Sequence, residues 1–136
     1  MLAKLEAQFG QESSVSVTTG AIHDYLVMTI NYSVQNKVKF YMFDYIKQVL
    51  TEVEPAMIHG PSLTPATANL FKINDNGTKL SKKDTDGFHR NVARLLFLSV
   101  AFLCTRVKSS DVDDNNKLCR VMRYLRETIF LPRVIG

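Results

Sequence analysis

The sequence predicts an α+β protein: a β-hairpin with flanking helices, followed by two C-terminal helices, one long and apolar over about 85–107 and one over about 110–129. Three observations lead there. Apolar and polar residues alternate through HDYLVMTINYS and again through KVKFYMF, which is the two-residue period of a strand. Apolar residues then recur every three or four positions in FDYIKQVL and in KLCRVMRYLRETI, the spacing of one helix face. Between these regions Pro55, Pro61, Pro65 and the Asn76-Gly77 pair interrupt either period.

Leu2, Leu5 and Phe9 share a helical face, and Gly10 stands where a helix C-terminus favours glycine, so a short helix opens the chain. SVSVT, residues 14–18, alternates β-branched and small polar residues and predicts a strand. In the next segment Leu26, Met28, Ile30 and Tyr32 fall on one side and Thr29 and Asn31 on the other. After SVQNK, Val38, Phe40 and Met42 face one way and Lys37, Lys39 and Tyr41 the other, which makes the unit a hairpin with one apolar and one lysine-bearing face. Phe43, Ile46, Val49, Leu50 and Val53 form a helix that stops before Pro55, because a residue preceding proline is pushed out of the α region. Residues 57–65 are a loop and NDNGTK is a turn. Ser81 or Asp84 caps the long helix, and the last one carries Leu118, Val121, Met122, Leu125 and Ile129 on a stripe, with Asp111, Asp113 and Asp114 at its positive end and Arg120, Arg123 and Arg126 in its negative half. Pro132 forbids continuation, so LPRVIG leaves as a strand.

The chain has 136 residues, 46% of them hydrophobic and 22% charged, which is the composition of one globular domain rather than a disordered tail. Lys and Arg number 17 against 13 acids; the resulting +4 is compatible with a polyanionic partner and is also common among proteins that bind none. Cys104 and Cys119 lie inside apolar helical patterns without CxxC or His spacing, so they are expected to be reduced core thiols. The apolar run LLFLSVAFLC is bracketed by Arg94 and Arg106, too closely for a bilayer span of about 20 residues. The segment MLAKLEAQFGQE mixes charges into its first turns and lacks a signal-peptide core, so an intracellular protein, cytoplasmic or nuclear, is expected.

No nucleophile elbow, Walker loop or HExxH pattern occurs, and His23, His59 and His89 fall on three different elements, so neither catalytic residues nor metal ligands are expected. The acid-rich SDVDD, residues 110–114, sits at a helix start, where carboxylates have an electrostatic reason to be. Polymerase and nuclease acids that clamp two metal ions about 4 Å apart are held on rigid strands instead. The basic residues are Lys37 and Lys39 on the hairpin, Lys47 on the next helix, and Lys117, Arg120, Arg123 and Arg126 with Tyr124 interleaved. Such side chains suit phosphates, with an aromatic to stack on a sugar or base, but a solvated helix face complementing its own dipole has the same composition.

HDYLVMTINYS, KVKFYMFDYIKQVL, LTPATANLF, FHRNVARLLFL, SVAFLCTRVKSSD and KLCRVMRYLRETI, in this order, resemble the copia-type retrotransposon polyprotein where its reverse transcriptase joins the RNase H. The resemblance spans nearly the whole chain; its most specific parts are the hairpin followed by DYI and a helix, and the closing RVMRYLRET. It implies a single fragment: residues 1–54 the end of the palm, the hairpin and the first thumb helix, 55–80 a loop region, and 81–136 thumb and connection helices. In the family, polymerisation of DNA on RNA rests on the aspartates of a YVDD loop and magnesium; this sequence holds no YVDD, so the chain alone is expected to be inactive and to need no cofactor. The implied partners are an RNA/DNA primer-template duplex and the palm and RNase H portions of the polyprotein, without a membrane. The implied nucleic-acid-binding set, primer-grip-like hairpin and basic face together, is Tyr25, Met28, Lys37, Lys39, Lys47, Arg120, Arg123, Tyr124 and Arg126.

Two departures stand out. Val27 occupies a position where the family commonly has glycine, and the family's Arg-Pro-Asp-Ile-like turn between its two helices is missing, Leu98 being followed directly by Ser99, Val100 and Ala101. The expected consequence is a single helix from about Thr85 to Val107 in which two apolar stripes are fused at Ser99. A small α+β adaptor that uses the stripe of residues 112–129 as a partner surface is the alternative function.

Overall fold

The computed structural model describes residues 2–12, 14, 16–98 and 101–136. It is mixed α+β, with an antiparallel sheet of four strands and five α-helices, the class expected. The chain divides into two compact units, one holding the residues up to Tyr41 together with Pro132–Gly136, the other Met42–Leu131.

In the first unit, α1 (Leu2–Phe9) closes as expected at Gly10, whose N–H donates to the Glu6 carbonyl at 2.8 Å. Its apolar residues Leu5 and Phe9 stay exposed. No strand forms at Ser14 or over residues 16–18, which are exposed and without regular structure; Ser13 and Val15 lie outside the described residues. Exposure explains the difference, since β propensity expresses packing on a half-buried surface that this segment never meets.

The segment expected as one strand is itself a hairpin. β1 (Ile22–Tyr25) pairs antiparallel with β2 (Met28–Asn31), with Tyr25 opposite Met28 across the two-residue turn Leu26-Val27. Leu26 takes φ +52°, the left-handed region that primed hairpin turns demand and a leucine adopts at a cost of roughly 1–2 kcal/mol. β2 then pairs with β3 (Val38–Tyr41) around a loop in which Asn36, at φ +59°, supplies the second left-handed residue. β4 (Arg133–Ile135) returns after Pro132 to pair with β3, completing the order β1-β2-β3-β4.

The second unit is helical. α2 (Phe43–Thr51) ends before Pro55, which begins a 3-10 turn, Pro55–Ile58, at the position where a missing N–H is harmless. α3 (Lys82–Arg94) starts at Ser81, whose hydroxyl oxygen accepts from the Asp84 N–H at 3.2 Å. α5 (Val112–Thr128) starts at Asp111 with a full capping box: the Asp111 carboxylate accepts from the Asp114 N–H and the Asp114 carboxylate from the Asp111 N–H. Ile46, Val49 and Val53, Phe88, Val92 and Leu95, Leu103, and Leu118, Val121, Met122 and Leu125 form one core.

The single helix over 85–107 is not formed. α3 ends at Arg94, a 3-10 segment runs Leu95–Leu98, α4 is only Ala101–Thr105, and a further 3-10 turn follows at Val107–Ser109. Cα atoms of α3 and α4 approach within 8 Å, whereas a continuous helix would hold even Arg94 and Ala101 about 10.5 Å apart. The turn Val107–Ser109 comes equally close to α3, from which a straight helix would have carried it about 20 Å away. The chain therefore folds back on itself; Ser99, where the seam was expected, and Val100 lie outside the described residues. Burial supplies the reason: a straight helix of about 33 Å would overrun a core built on the nine residues of α2 and the seventeen of α5, and the reversal returns Leu103 to that core at 1% exposure.

One ionic cluster locks the reversal. Arg106, just past α4, donates from Nε to Asp114 Oδ2 at 2.9 Å, and its Nη2 reaches the Ser109 carbonyl at 3.2 Å and Asp111 Oδ2 at 3.5 Å. Both carboxylates are 1% exposed. The turn at residues 74–77 docks on the same point, with the Val112 N–H donating to the Thr78 carbonyl and Asn74 Nδ2 to Asp113 Oδ2. Gly77 is required there, because a Cβ would lie 2.9 Å from Asp111 Oδ2 and 3.0 Å from the Asn74 carbonyl.

Arg106→Ala leaves two buried carboxylates without their guanidinium and is expected to cost about 3–5 kcal/mol in urea unfolding of the full chain; a loss below about 1 kcal/mol would deny the cluster this role. Leu26→Gly removes the left-handed penalty from an exposed side chain, and the gain, net of glycine's entropy, is about 0.5–1 kcal/mol, measurable as a raised thermal midpoint.

Candidate nucleic-acid interface

Cross-strand partners share a sheet face, so the pairing register settles which hairpin side chains stand together. Tyr25 and Met28 face each other beside the Leu26-Val27 turn, on the side that also carries Ile30, Phe40 and Val38. Lys39 pairs with Asn31 and Val134 and stands on the opposite side with Thr29 and Tyr41. Lys37 is exposed in the loop just before β3, its N–H donating to the Val34 carbonyl at 3.1 Å. Of the four hairpin candidates, Tyr25 and Met28 thus take one face, Lys39 the other, and Lys37 the loop before β3. The lysine face is a polar comb in which the Thr29 hydroxyl donates to Asp24 Oδ1 at 2.7 Å and Asn31 Oδ1 accepts from the Ser33 N–H. His23 is held locally, Nδ1 accepting from the Thr18 hydroxyl and Nε2–H donating to the Gly20 carbonyl.

The other candidates belong to the helical unit. Lys47 is exposed on α2, with Nζ 5.8 Å from the centre of the Phe43 ring, which itself stacks on Phe130 at 5.1 Å. On α5 the arginines act first as tethers for the proline-rich loop. Arg120 donates from Nε to the Thr64 carbonyl at 3.1 Å and from Nη2 to the Thr64 hydroxyl at 2.8 Å. Arg126 donates to the carbonyls of Ile58 and Gly60 and pairs with Glu127. Tyr124 is half-buried, and its carbonyl accepts from the Thr128 hydroxyl. Arg123 differs from its neighbours: its Nε is buried and meets no acceptor among the described residues.

The acids of residues 110–114 are placed as helix caps, as their position suggested. Sequence reasoning missed Arg106 as their partner and missed Thr64, Ile58 and Gly60 as acceptors for the α5 arginines. No spacing signals these contacts, because a backbone carbonyl has no side-chain signature and Arg120 lies 56 residues from Thr64. Cys104 and Cys119 form no disulfide, as expected.

Burial raises the Cys119 thiol above its ordinary range, against the opposing pull of the Arg123 charge. Burial likewise raises the Tyr45 hydroxyl, which donates to the Arg94 carbonyl, against the pull of the Arg94 charge. A folded pKa above the unfolded one means stability that is whole below the unfolded value and is lost as pH rises through the folded one. Unfolding free energy should therefore fall on the alkaline side, from the ordinary thiol range upward, and Cys119→Ala combined with Tyr45→Phe should flatten that fall in urea titrations made at a series of alkaline pH values.

No protein-family model matches the chain, and neither the curated proteins nor the solved structures give a significant match. Among the described residues, no helix is long and apolar enough to cross a membrane.

Proposed function

We propose that the chain carries the primer-grip, thumb and connection portion of a copia-type reverse transcriptase, without the catalytic aspartates, and that its activity is duplex binding without sequence readout. The observation that carries this reading is the lysine face of the sheet. Lys39 stands there beside Asn31, Thr29 and Tyr41, with Lys37 exposed just before the same strand, so a cation adjoins hydrogen-bonding groups on a surface that Asp24 also shares. Such groups meet phosphate oxygens and set register while reading no base edges. The order of elements agrees with the resemblance, a hairpin running directly into α2 at DYI and a final helix at RVMRYLRET.

Phosphoryl transfer by this chain alone is not part of the proposal. A two-metal site needs carboxylates held together, and Asp24 is the one acid on the described strands, already accepting from Thr29. The adaptor alternative is weakened, since the stripe it would offer, Leu118, Val121, Met122 and Leu125, is spent on the core.

Fluorescence anisotropy of a labelled RNA/DNA primer-template duplex tests the reading. Binding should weaken steeply with salt, and replacing Lys37 and Lys39 together by alanine should lower the slope of log K against log salt by about 2. Absence of binding at low salt, or an unchanged slope in the double variant, overturns it.

A further inference from the structure

Beside α5 lies a cleft of about 240 Å³ whose walls are the helix and the loop that its arginines hold. Lys117, Arg120 and Arg123, spaced three apart, line one side, and no carboxylate lines the other. Like charges at this spacing repel on a helix surface, and the low-dielectric wall strengthens the repulsion. The local partners relieve it unequally. Lys117 shares Asp114 with Arg106 and donates to the Lys72 carbonyl, and Arg120 is held by Thr64. Arg123 keeps a buried N–H donor with no acceptor among the described residues, a group folded proteins seldom leave unmatched. The loop wall is set independently of any ligand, by Pro61 and Pro65 and by Ser62, whose hydroxyl donates to the Thr64 carbonyl at 2.9 Å.

We infer that this cleft is a binding site for a phosphate monoester. Arg123 supplies one guanidinium at the cleft wall, Arg120 a second fixed in place, and Lys117 the compact charge, an arrangement suited to a dianion with three acceptor oxygens. The site uses none of the hairpin lysines, so it stands or falls separately from duplex binding. Either of two sources brings this chemistry: a free phosphorylated small molecule or the 5′-phosphate end of a nucleic acid strand.

Calorimetric titration of the full chain at low salt with inorganic phosphate and with adenosine 5′-monophosphate tests the inference. Saturable binding is expected, weakened at least about tenfold by Arg123→Gln. Thr67→Glu, which puts a carboxylate at the exposed side of the cleft, is expected to abolish binding while the circular dichroism spectrum stays unchanged. A 5′-phosphorylated oligonucleotide that outcompetes its 5′-hydroxyl counterpart and the mononucleotide assigns the site to strand ends; equal competition by the mononucleotide assigns it to small ligands. No saturable binding by the wild-type chain, or binding untouched by both substitutions, overturns the site. Loss of phosphate binding with duplex affinity and its Lys37 and Lys39 dependence intact separates failure here from failure of the duplex reading.

Discussion

The buried fork of Arg106 is the interaction on which the helical unit depends. Its guanidinium holds Asp114 at 2.9 Å and Asp111 at 3.5 Å, and the same two carboxylates cap the first turn of α5. A planar, permanently charged fork suits this task, because it serves two acids and the Ser109 carbonyl without reorganising. Capping alone would not justify carboxylates at 1% exposure, since their desolvation exceeds what a cap contributes. The guanidinium makes the burial tolerable; in return the acids fix where α4 stops, where α5 starts and where the turn at residues 74–77 docks.

What could be read from the sequence follows the range of the interaction responsible. The stripe of α5, its acidic start, the Ser81 cap and the stop before Pro55 are all patterns within a few residues, and each is where its local pattern puts it; Pro132 likewise marks the helix end locally, although the strand after it pairs with distant β3. The reversal between α3 and α4 is not local. LLFLSVAFLC has continuous helical propensity, and only the return of Leu103 to the core that also holds Phe88, Val92 and Leu95 makes a broken helix the better burial. The extra hairpin at Leu26 was hidden for another reason: two-residue turns announce themselves by Asn or Gly, and here a leucine bears the strain.

The candidate site was legible as a list of residue types and much less as an arrangement. Arg120 and Arg126 each commit part of their guanidinium to carbonyls of the loop between Ile58 and Thr64, so neither offers a whole fork to a phosphate. That loop has few buried apolar side chains, so arginine stems and forks substitute for a core in holding it. Counting basic residues on a helix therefore overstates the charge offered to a polyanion, and the net +4 of the chain is not spread as its sequence suggests.

The sheet imposes a similar discipline on the hairpin. With a period of two, Tyr25 and Met28 cannot stand on the side of Lys39, whatever their order in the chain. A duplex lying along the lysine face would meet Asn31 and Tyr41 beside Lys39, with Thr29 committed to Asp24, while Tyr25, Met28, Ile30, Phe40 and Val38 share the other side with His23 and Arg133. The candidates Tyr25 and Met28 are thus separated from Lys39 by the sheet itself, and the strained turn at Leu26 brings β1 back alongside β2. Val27, the position where the resembled family commonly has glycine, sits at the tip of the turn, outside both strands.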